Sequence, residues 1–236
     1  MNVFRSIIFS AVLAGLITGI VVTGAQMVST VPLILKAEVF EVAEPAAPAD
    51  AGHSHAPGTA AHSHDEEAWG PEDGFERNAY TALINVVSWI GFGMLMAGVF
   101  VLSRRDITWR EGFLWGLGGF AAFILAPTLG LPPELPGMPA GDLVARQVWW
   151  IGTVAATAVG LYLIALQRSP LAAVAAIVLI ALPHVIGAPQ PESHDSAVPH
   201  GLHHEFVVAV TLTTLLSWSL LGGLTGLFYR RFSATA

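Results

Sequence analysis

The chain has 236 residues, of which 54% are hydrophobic and only 11% are charged, and it contains no cysteine. Soluble domains carry about 25% charged residues, so this composition predicts an integral membrane protein. The absence of cysteine excludes a disulfide framework, an iron–sulfur cluster and thiolate metal ligands. The formal charge of −7 comes from acids concentrated in a few hydrophilic segments, and we expect no nucleic-acid partner.

Six apolar stretches approach or reach the roughly 20 residues that a helix needs to cross the hydrocarbon layer. They cover residues 4–27, 80–102, 112–131, 143–166, 171–186 and 206–228. The sequence therefore predicts an all-α polytopic membrane bundle of about six transmembrane helices, forming a single domain over residues 1–236. The fifth stretch is short and contains Pro183, so a kinked or re-entrant helix and a five-span topology remain open.

Basic residues near the helix ends indicate the orientation in the membrane. On the six-span prediction seven arginines share one side, namely Arg5, Arg104, Arg105, Arg110, Arg168, Arg230 and Arg231. Lys36, Arg77 and Arg146 share the other side. The excess of basic residues predicts that both termini are cytoplasmic.

All nine histidines are predicted to lie on the outer side of the membrane. A flexible loop rich in histidine and acids, residues 44–71, carries His53, His55, His62 and His64. A second outer loop, residues 187–204, carries His194, His200, His203 and His204. Imidazole and carboxylate groups together suit divalent transition metals, so the loops are candidate metal ligands. The alternative is a low-complexity loop whose histidines only aid solubility.

The start of the last helix leaves two interpretations open. Glu205 is a candidate ligand, but a carboxylate in a first helical turn also stabilises the helix dipole. His200 and His204 share a helical face only if the helix begins close to Pro199.

His184 differs from the loop histidines because it lies within or at the edge of an apolar stretch, directly after Pro183. An ionisable group beside a broken membrane helix is a candidate for an ion pathway. The alternative is a histidine at the headgroup level that is hydrogen-bonded to a neighbour. Asn85, Gln26 and Gln147 could line a passage, but the preferred interpretation is that they hold helices together.

Small residues recur at four-residue spacing in three of the apolar stretches. The pairs are Gly15 with Gly19, Gly112 with Gly116, and Gly222 with Gly226. This spacing predicts that neighbouring helix backbones approach closely. Met94 and Met96 are two residues apart and are therefore expected on different helix faces.

A set of motifs spread over nearly the whole chain resembles the CbtA family of cobalt transporter subunits. The motifs are VPLIL at 31–35, LGLPPELPG at 129–137, RQVWW at 146–150, LPHVIGAP at 182–189 and EFV at 205–207. The resemblance implies a subunit of the bacterial inner membrane that takes up Co²⁺ for cobalamin synthesis. It also implies a small single-span partner, CbtB, with its own histidine motif. Ligand chemistry alone does not separate cobalt from nickel or zinc.

The proline-rich motif contains one further candidate ligand, Glu134. Pro132, Pro133, Pro136 and Pro139 restrict the backbone and would hold this carboxylate in a stiff outer segment near a pore mouth. The alternative role for the prolines is that the loop only plugs or braces the bundle.

The leading hypothesis is an uptake transporter subunit that captures a divalent cation in its outer loops and passes it toward His184 and Glu134. The main alternative is a membrane metal-binding or sensor protein that does not transport. An intramembrane enzyme is the weakest hypothesis, because no nucleophile and base are suitably placed. The sequence also lacks a phosphate-binding loop for ATP.

Overall fold

The computed structural model describes residues 2–41, 70–72, 74–167, 169–193 and 195–234, and these are helical apart from turns and short extended segments. The helices are α1 (Asn2–Val28), α2 (Val31–Glu41), α3 (Phe75–Ser103), α4 (Trp109–Phe120), a π-helical turn (Ala121–Leu125), α5 (Ala126–Thr128), α6 (Leu143–Leu166), α7 (Pro170–Ile186) and α8 (His200–Ala234). No strand occurs in these ranges. The all-α class is thus confirmed.

Four helical segments of the described chain are long and apolar enough to cross a membrane: Val3–Val28, Phe75–Ser103, Leu143–Ala165 and His200–Ser233. The predicted count of six is not confirmed. The fifth predicted span, α7, is apolar but has 17 residues. The third is divided between α4, the π-helical turn and α5, since Pro127 near the start of α5 has no amide hydrogen to continue the α-helical pattern.

The predicted close approach of glycine-bearing helices is confirmed. A Cβ at Gly15 would lie 2.5 Å from Ile90 Cα, and one at Gly19 would lie 2.6 Å from Val86 Cα, so α1 contacts the backbone of α3 directly. The pairs in α4 and α8 interlock with each other, and a Cβ at Gly112 would lie 2.9 Å from Gly226 Cα. Small residues permit this packing in lipid, where dispersion contacts drive helix association.

Aromatic side chains fill the centre of the bundle. The Trp218 ring of α8 lies 5.7 Å from Trp89 and 5.1 Å from Phe92, both of α3, and stacks on Phe123 of the π-helical turn at 5.4 Å. This cluster connects α3, α8 and the turn that follows α4. Met96 is buried in the same core whereas Met94 is exposed, which confirms that they lie on different faces.

Polar side chains join α1 and α3 as the sequence indicated. The Asn85 amide donates to Gln26 Oε1 at 2.6 Å and to Thr23 Oγ1 at 3.0 Å. Gln26 and Asn85 therefore hold these helices together. Gln147 is exposed on α6.

Helices α6 and α7 form an antiparallel hairpin, and each of the two packs mainly against the other. Gly160 of α6 lies against Ile180 and Ala176 of α7, and Trp149 near the start of α6 contacts Pro183 near the end of α7. The hairpin joins the rest of the bundle through the π-helical turn and α5. The start of α6 and the end of α7 consequently lie at the same end of the molecule.

Contacts between the helix termini define the two ends of the bundle. Phe9 of α1 contacts Phe232 of α8, and Phe100 of α3 contacts Tyr229 of α8, so the start of α1, the end of α3 and the end of α8 lie together. We call the opposite end the histidine end, because it contains His184, His200, His203 and His204. Their predicted location on the outer side of the membrane stays a prediction.

Candidate metal-handling end of the bundle

His184 lies in the last turn of α7, and its Nε2 atom is buried without a hydrogen-bond partner in the described part of the chain. A buried polar atom without a partner is uncommon, because desolvation costs free energy that no contact returns. A neutral imidazole nitrogen in such a position can donate its lone pair to a metal ion. Among the described candidate ligands, the predicted pathway residue His184 is therefore the one with a buried side-chain nitrogen that lacks a hydrogen-bond partner.

Trp149 of α6 packs against His184. The two rings meet edge to face with centroids 5.8 Å apart, and the indole Nε1 donates to the Pro183 carbonyl oxygen at 3.1 Å. Helix α7 continues through Pro183 to Ile186, and the chain turns at Gly187, whose φ of 90° suits glycine.

Glu134 in the proline-rich segment forms an ion pair with Arg146 of α6. Arg146 Nη2 donates to Glu134 Oε2 at 2.9 Å, and the two side chains are 25% and 26% exposed. The carboxylate is therefore held by a cation contributed by the adjacent helix. A second ion pair at this end joins Arg77 of α3 to Glu38 of α2.

The first turns of α8 separate their histidines into two environments. The helix begins at His200, directly after Pro199, so the exposed residues His200 and His204 share a face at the spacing of four. His203 points elsewhere, and its Nε2 lies 3.1 Å from the Pro133 carbonyl oxygen. Glu205 is exposed.

A small apolar cluster closes the histidine end. Its buried members are Leu33 and Ala37 of α2, Leu135 of the proline-rich segment, Val198 and Phe206. The proline-rich segment also receives a hydrogen bond from Ser196 Oγ to the Gly137 carbonyl at 3.3 Å. These contacts attach the proline-rich segment to α2 and to the start of α8, and both roles considered for the prolines stay predictions.

Within the residues that the structure describes, no group of three or more histidine, aspartate or glutamate side chains is arranged to hold a metal ion. His53, His55, His62, His64 and His194 lie outside the described residues. The described candidates have different neighbours: His184 contacts Trp149, Glu134 pairs with Arg146, and His200 and His204 lie on the exposed start of α8.

Two neighbours of the site were missed when functional residues were selected from the sequence. Trp149 and Arg146 belong to the RQVWW motif, but only the tertiary structure shows that they contact His184 and Glu134. The signal available in the sequence was their spacing. Residues 146 and 149 lie one turn apart and so project from neighbouring positions at the start of one helix.

The long apolar helices and the close glycine contacts between them are typical of a polytopic membrane protein. A family model described as "Probable cobalt transporter subunit (CbtA)" matches residues 4–230, nearly the whole length. The chain belongs to this family, a family of transporter subunits and not a class of enzymes. No curated protein and no solved structure gives a significant match.

Proposed function

We propose that this protein is the membrane subunit of a Co²⁺ uptake system in which the outer histidine loops capture the ion and His184 receives it inside the bundle. The observation that carries the proposal is the buried, unpartnered Nε2 of His184 among the described residues. Membership of a cobalt transporter subunit family supports Co²⁺ as the ion that this nitrogen would bind. Nickel and zinc are compatible with the same ligand chemistry.

The proposed topology has six crossings, with both termini in the cytoplasm and the histidine end facing the periplasm of a bacterial inner membrane. The alternating direction of the helices supports this, since α4, the π-helical turn and α5 run from one end to the other in sequence. The short α7 would cross with support from α6. Reporter fusions after Arg104 and at Gly58 should then give opposite compartment signals.

The proposed capture step uses two kinds of ligand. His53, His55, His62, His64 and His194 would raise the local ion concentration without forming the passage. His200 and His204, together with Glu205, offer donors on the exposed start of α8, and His203 would have to release Pro133 to join them. Glu134 would receive the ion close to the entrance. A small single-span CbtB-type subunit completes the proposed system, which would supply cobalamin synthesis.

The test is uptake of radioactive Co²⁺ by cells that carry the complete system and lack other cobalt importers. His184→Ala should abolish uptake even at abundant metal, and His184→Gln should do the same because glutamine keeps hydrogen bonding but binds metal poorly. Replacing the four histidines of the 44–71 loop should reduce uptake only at scarce metal. Protein level in the membrane is the control for each variant.

Two results would contradict the proposal. Full transport by His184→Gln would show that the imidazole only braces α6 and α7. Metal binding by the purified protein without any uptake by the cells would favour a binding or sensor protein instead.

A further inference from the structure

The indole of Trp149 lies in a fixed seat formed by three separate segments of the chain. On one side is Gly130 after α5, where a Cβ would come within 2.5 Å of the indole Cη2 and 2.8 Å of Cζ2. On another side are Pro183, which accepts the indole hydrogen bond, and His184, which meets the ring edge to face. A Cβ at Gly130 would also lie 3.0 Å from Ala188 Cβ, so the seat extends to the segment after α7.

The single indole donor is committed to the Pro183 carbonyl oxygen and not to the neighbouring imidazole. The Trp149 ring restricts His184 in two ways, through the edge-to-face ring contact and through its hydrogen bond to the backbone of Pro183. Nε2 of His184 keeps no hydrogen-bond partner in the described chain. A residue that hydrogen-bonded directly to Nε2 would have blocked that nitrogen. The arrangement orients the imidazole and leaves its nitrogen available.

We propose that Trp149 is a positioning residue that fixes the imidazole of His184 for Co²⁺ and that Gly130 provides the space for its ring. This inference rests on the proposed function, because it concerns the ligand assigned there. It adds that Co²⁺ uptake depends on Trp149 and Gly130 as well as on His184. Groups hydrogen-bonded to a metal-binding histidine commonly change metal affinity by 10- to 100-fold when they are removed. Trp149 acts on His184 through a ring contact and the Pro183 backbone instead, so we expect the lower end of that range.

The chain provides a matched control for each of the two changes. Trp149→Phe keeps an aromatic ring but removes the N–H donor, and Trp150→Phe makes the same change at the next residue, whose ring contacts Phe123 instead. Gly130→Ala places a methyl group against the indole, whereas Gly152→Ala adds one on α6 with nothing within 4 Å. Both pairs are measured in the complete transport system.

We expect Trp149→Phe and Gly130→Ala to raise the Co²⁺ concentration for half-maximal uptake by about tenfold, with the maximal rate and the membrane level retained. The Trp150→Phe and Gly152→Ala variants should stay within about twofold of the wild type, the ordinary scatter for a change away from the site. A loss of folding would instead lower the maximal rate together with the protein level. Equal half-saturation values for Trp149→Phe and Trp150→Phe would overturn the inference.

A spectroscopic measurement on the purified full-length protein tests the contact itself. Co²⁺ quenches the fluorescence of nearby indoles, and an ion on His184 would lie beside the Trp149 ring. The Co²⁺ concentration for half-maximal quenching should rise about tenfold in Gly130→Ala, which keeps the indole, and His184→Gln should lose the saturable component. Trp149→Phe removes the reporting indole and therefore shows only how much of the quenching comes from Trp149. An unchanged half-quenching concentration in Gly130→Ala would overturn the inference even if uptake were impaired.

The two proposals fail in distinguishable ways. If His184→Gln abolishes uptake while Trp149→Phe and Gly130→Ala match the wild type in the Co²⁺ concentration for half-maximal uptake, the positioning role is wrong and the ion path stands. If His184→Gln transports normally, the path through this histidine is wrong, and the positioning inference falls with it whatever Trp149→Phe does.

Discussion

The crossing of α4 and α8 provides the sharpest test of what holds the bundle together. At Gly222 an added Cβ would lie 2.7 Å from Gly116 Cα and 2.8 Å from Gly116 N, and closer still to the Gly112 carbonyl oxygen. Ordinary contacts begin near 3.4 Å, and the obstructing atoms are backbone and cannot rotate away. Gly222→Ala therefore requires the two helices to separate by about 0.7 Å or more.

The expected cost follows from overpacking a close interface, which typically destabilises a protein by about 1–3 kcal/mol. The separation also weakens the contacts at Gly226, since both glycines of α8 pack on α4. For a chain of this size a loss of about 2 kcal/mol corresponds to a fall of about 4–8 °C in melting temperature. Gly223→Ala is the matched control, because a Cβ at Gly223 meets nothing within 4 Å.

The assay is thermal unfolding of the purified protein in one detergent, followed by intrinsic fluorescence. Gly223→Ala should melt at or slightly above the wild-type temperature, since alanine is the better helix former by about 1 kcal/mol. Gly222→Ala should melt clearly below it. Coincident unfolding curves for the two variants would refute the interpretation that the glycine interlock determines the packing of α4 on α8.

Three further changes are expected to affect stability, and not all in the same direction. Thr18 is fully buried and its Oγ1 has no partner in the described chain, so Thr18→Val should leave the melting temperature unchanged or raise it. Thr213→Val removes the 3.2 Å contact with Ser29 Oγ and should lower the melting temperature. A higher melting temperature for Thr213→Val than for Thr18→Val would contradict this reasoning. The Thr108 backbone N–H, followed by its hydroxyl, holds the pKa of Glu111 below its ordinary value in the capping box of α4. Because the folded pKa is the lower one, the carboxylate stabilises the cap at neutral pH and this stabilisation is lost as the pH falls through the lowered pKa. Glu111→Gln should therefore melt below the wild type at neutral pH and converge with it in acid, and a difference that persists unchanged in acid would exclude this explanation.

The sequence predicted the features that depend on local spacing. Glycines four residues apart predicted close helix contacts, and Asn85 and Gln26 were correctly interpreted as a link between helices. The third predicted span was less accurate because hydropathy records where a segment is apolar but not its hydrogen-bond register. Pro127 and the π-helical turn interrupt that register.

The candidate site was only partly predictable, because its decisive contacts join distant residues. The position of His184 after Pro183 in an apolar stretch identified it as a candidate. The contact between His184 and Trp149, however, spans 35 positions along the chain. The exposed pair His200 and His204 could be anticipated once the helix was allowed to begin after Pro199. No periodicity encodes which ring packs against which imidazole, so that information came from the tertiary structure alone.

Substitutions in the ion pair between Glu134 and Arg146 can distinguish two roles of Glu134: a ligand for the metal ion, or a structural contact that holds the proline-rich segment. Each side chain is about a quarter exposed, so solvent screening limits the stability of the pair to about 1 kcal/mol or less. If Glu134 receives Co²⁺, the ion competes with Arg146 for the carboxylate. Arg146→Gln should then lower the half-saturating Co²⁺ concentration by up to about fivefold, which corresponds to that energy.

Glu134→Gln should have the opposite effect on uptake, because the amide oxygen is a weaker ligand for a divalent cation. Both changes remove the ion pair, so a purely bracing role would impair the two variants alike in uptake and in thermal unfolding. Opposite shifts in half-saturation at equal membrane levels would identify Glu134 as a metal donor. Parallel losses would assign the pair to holding the proline-rich segment against α6, and the carboxylate would then have no part in the ion path.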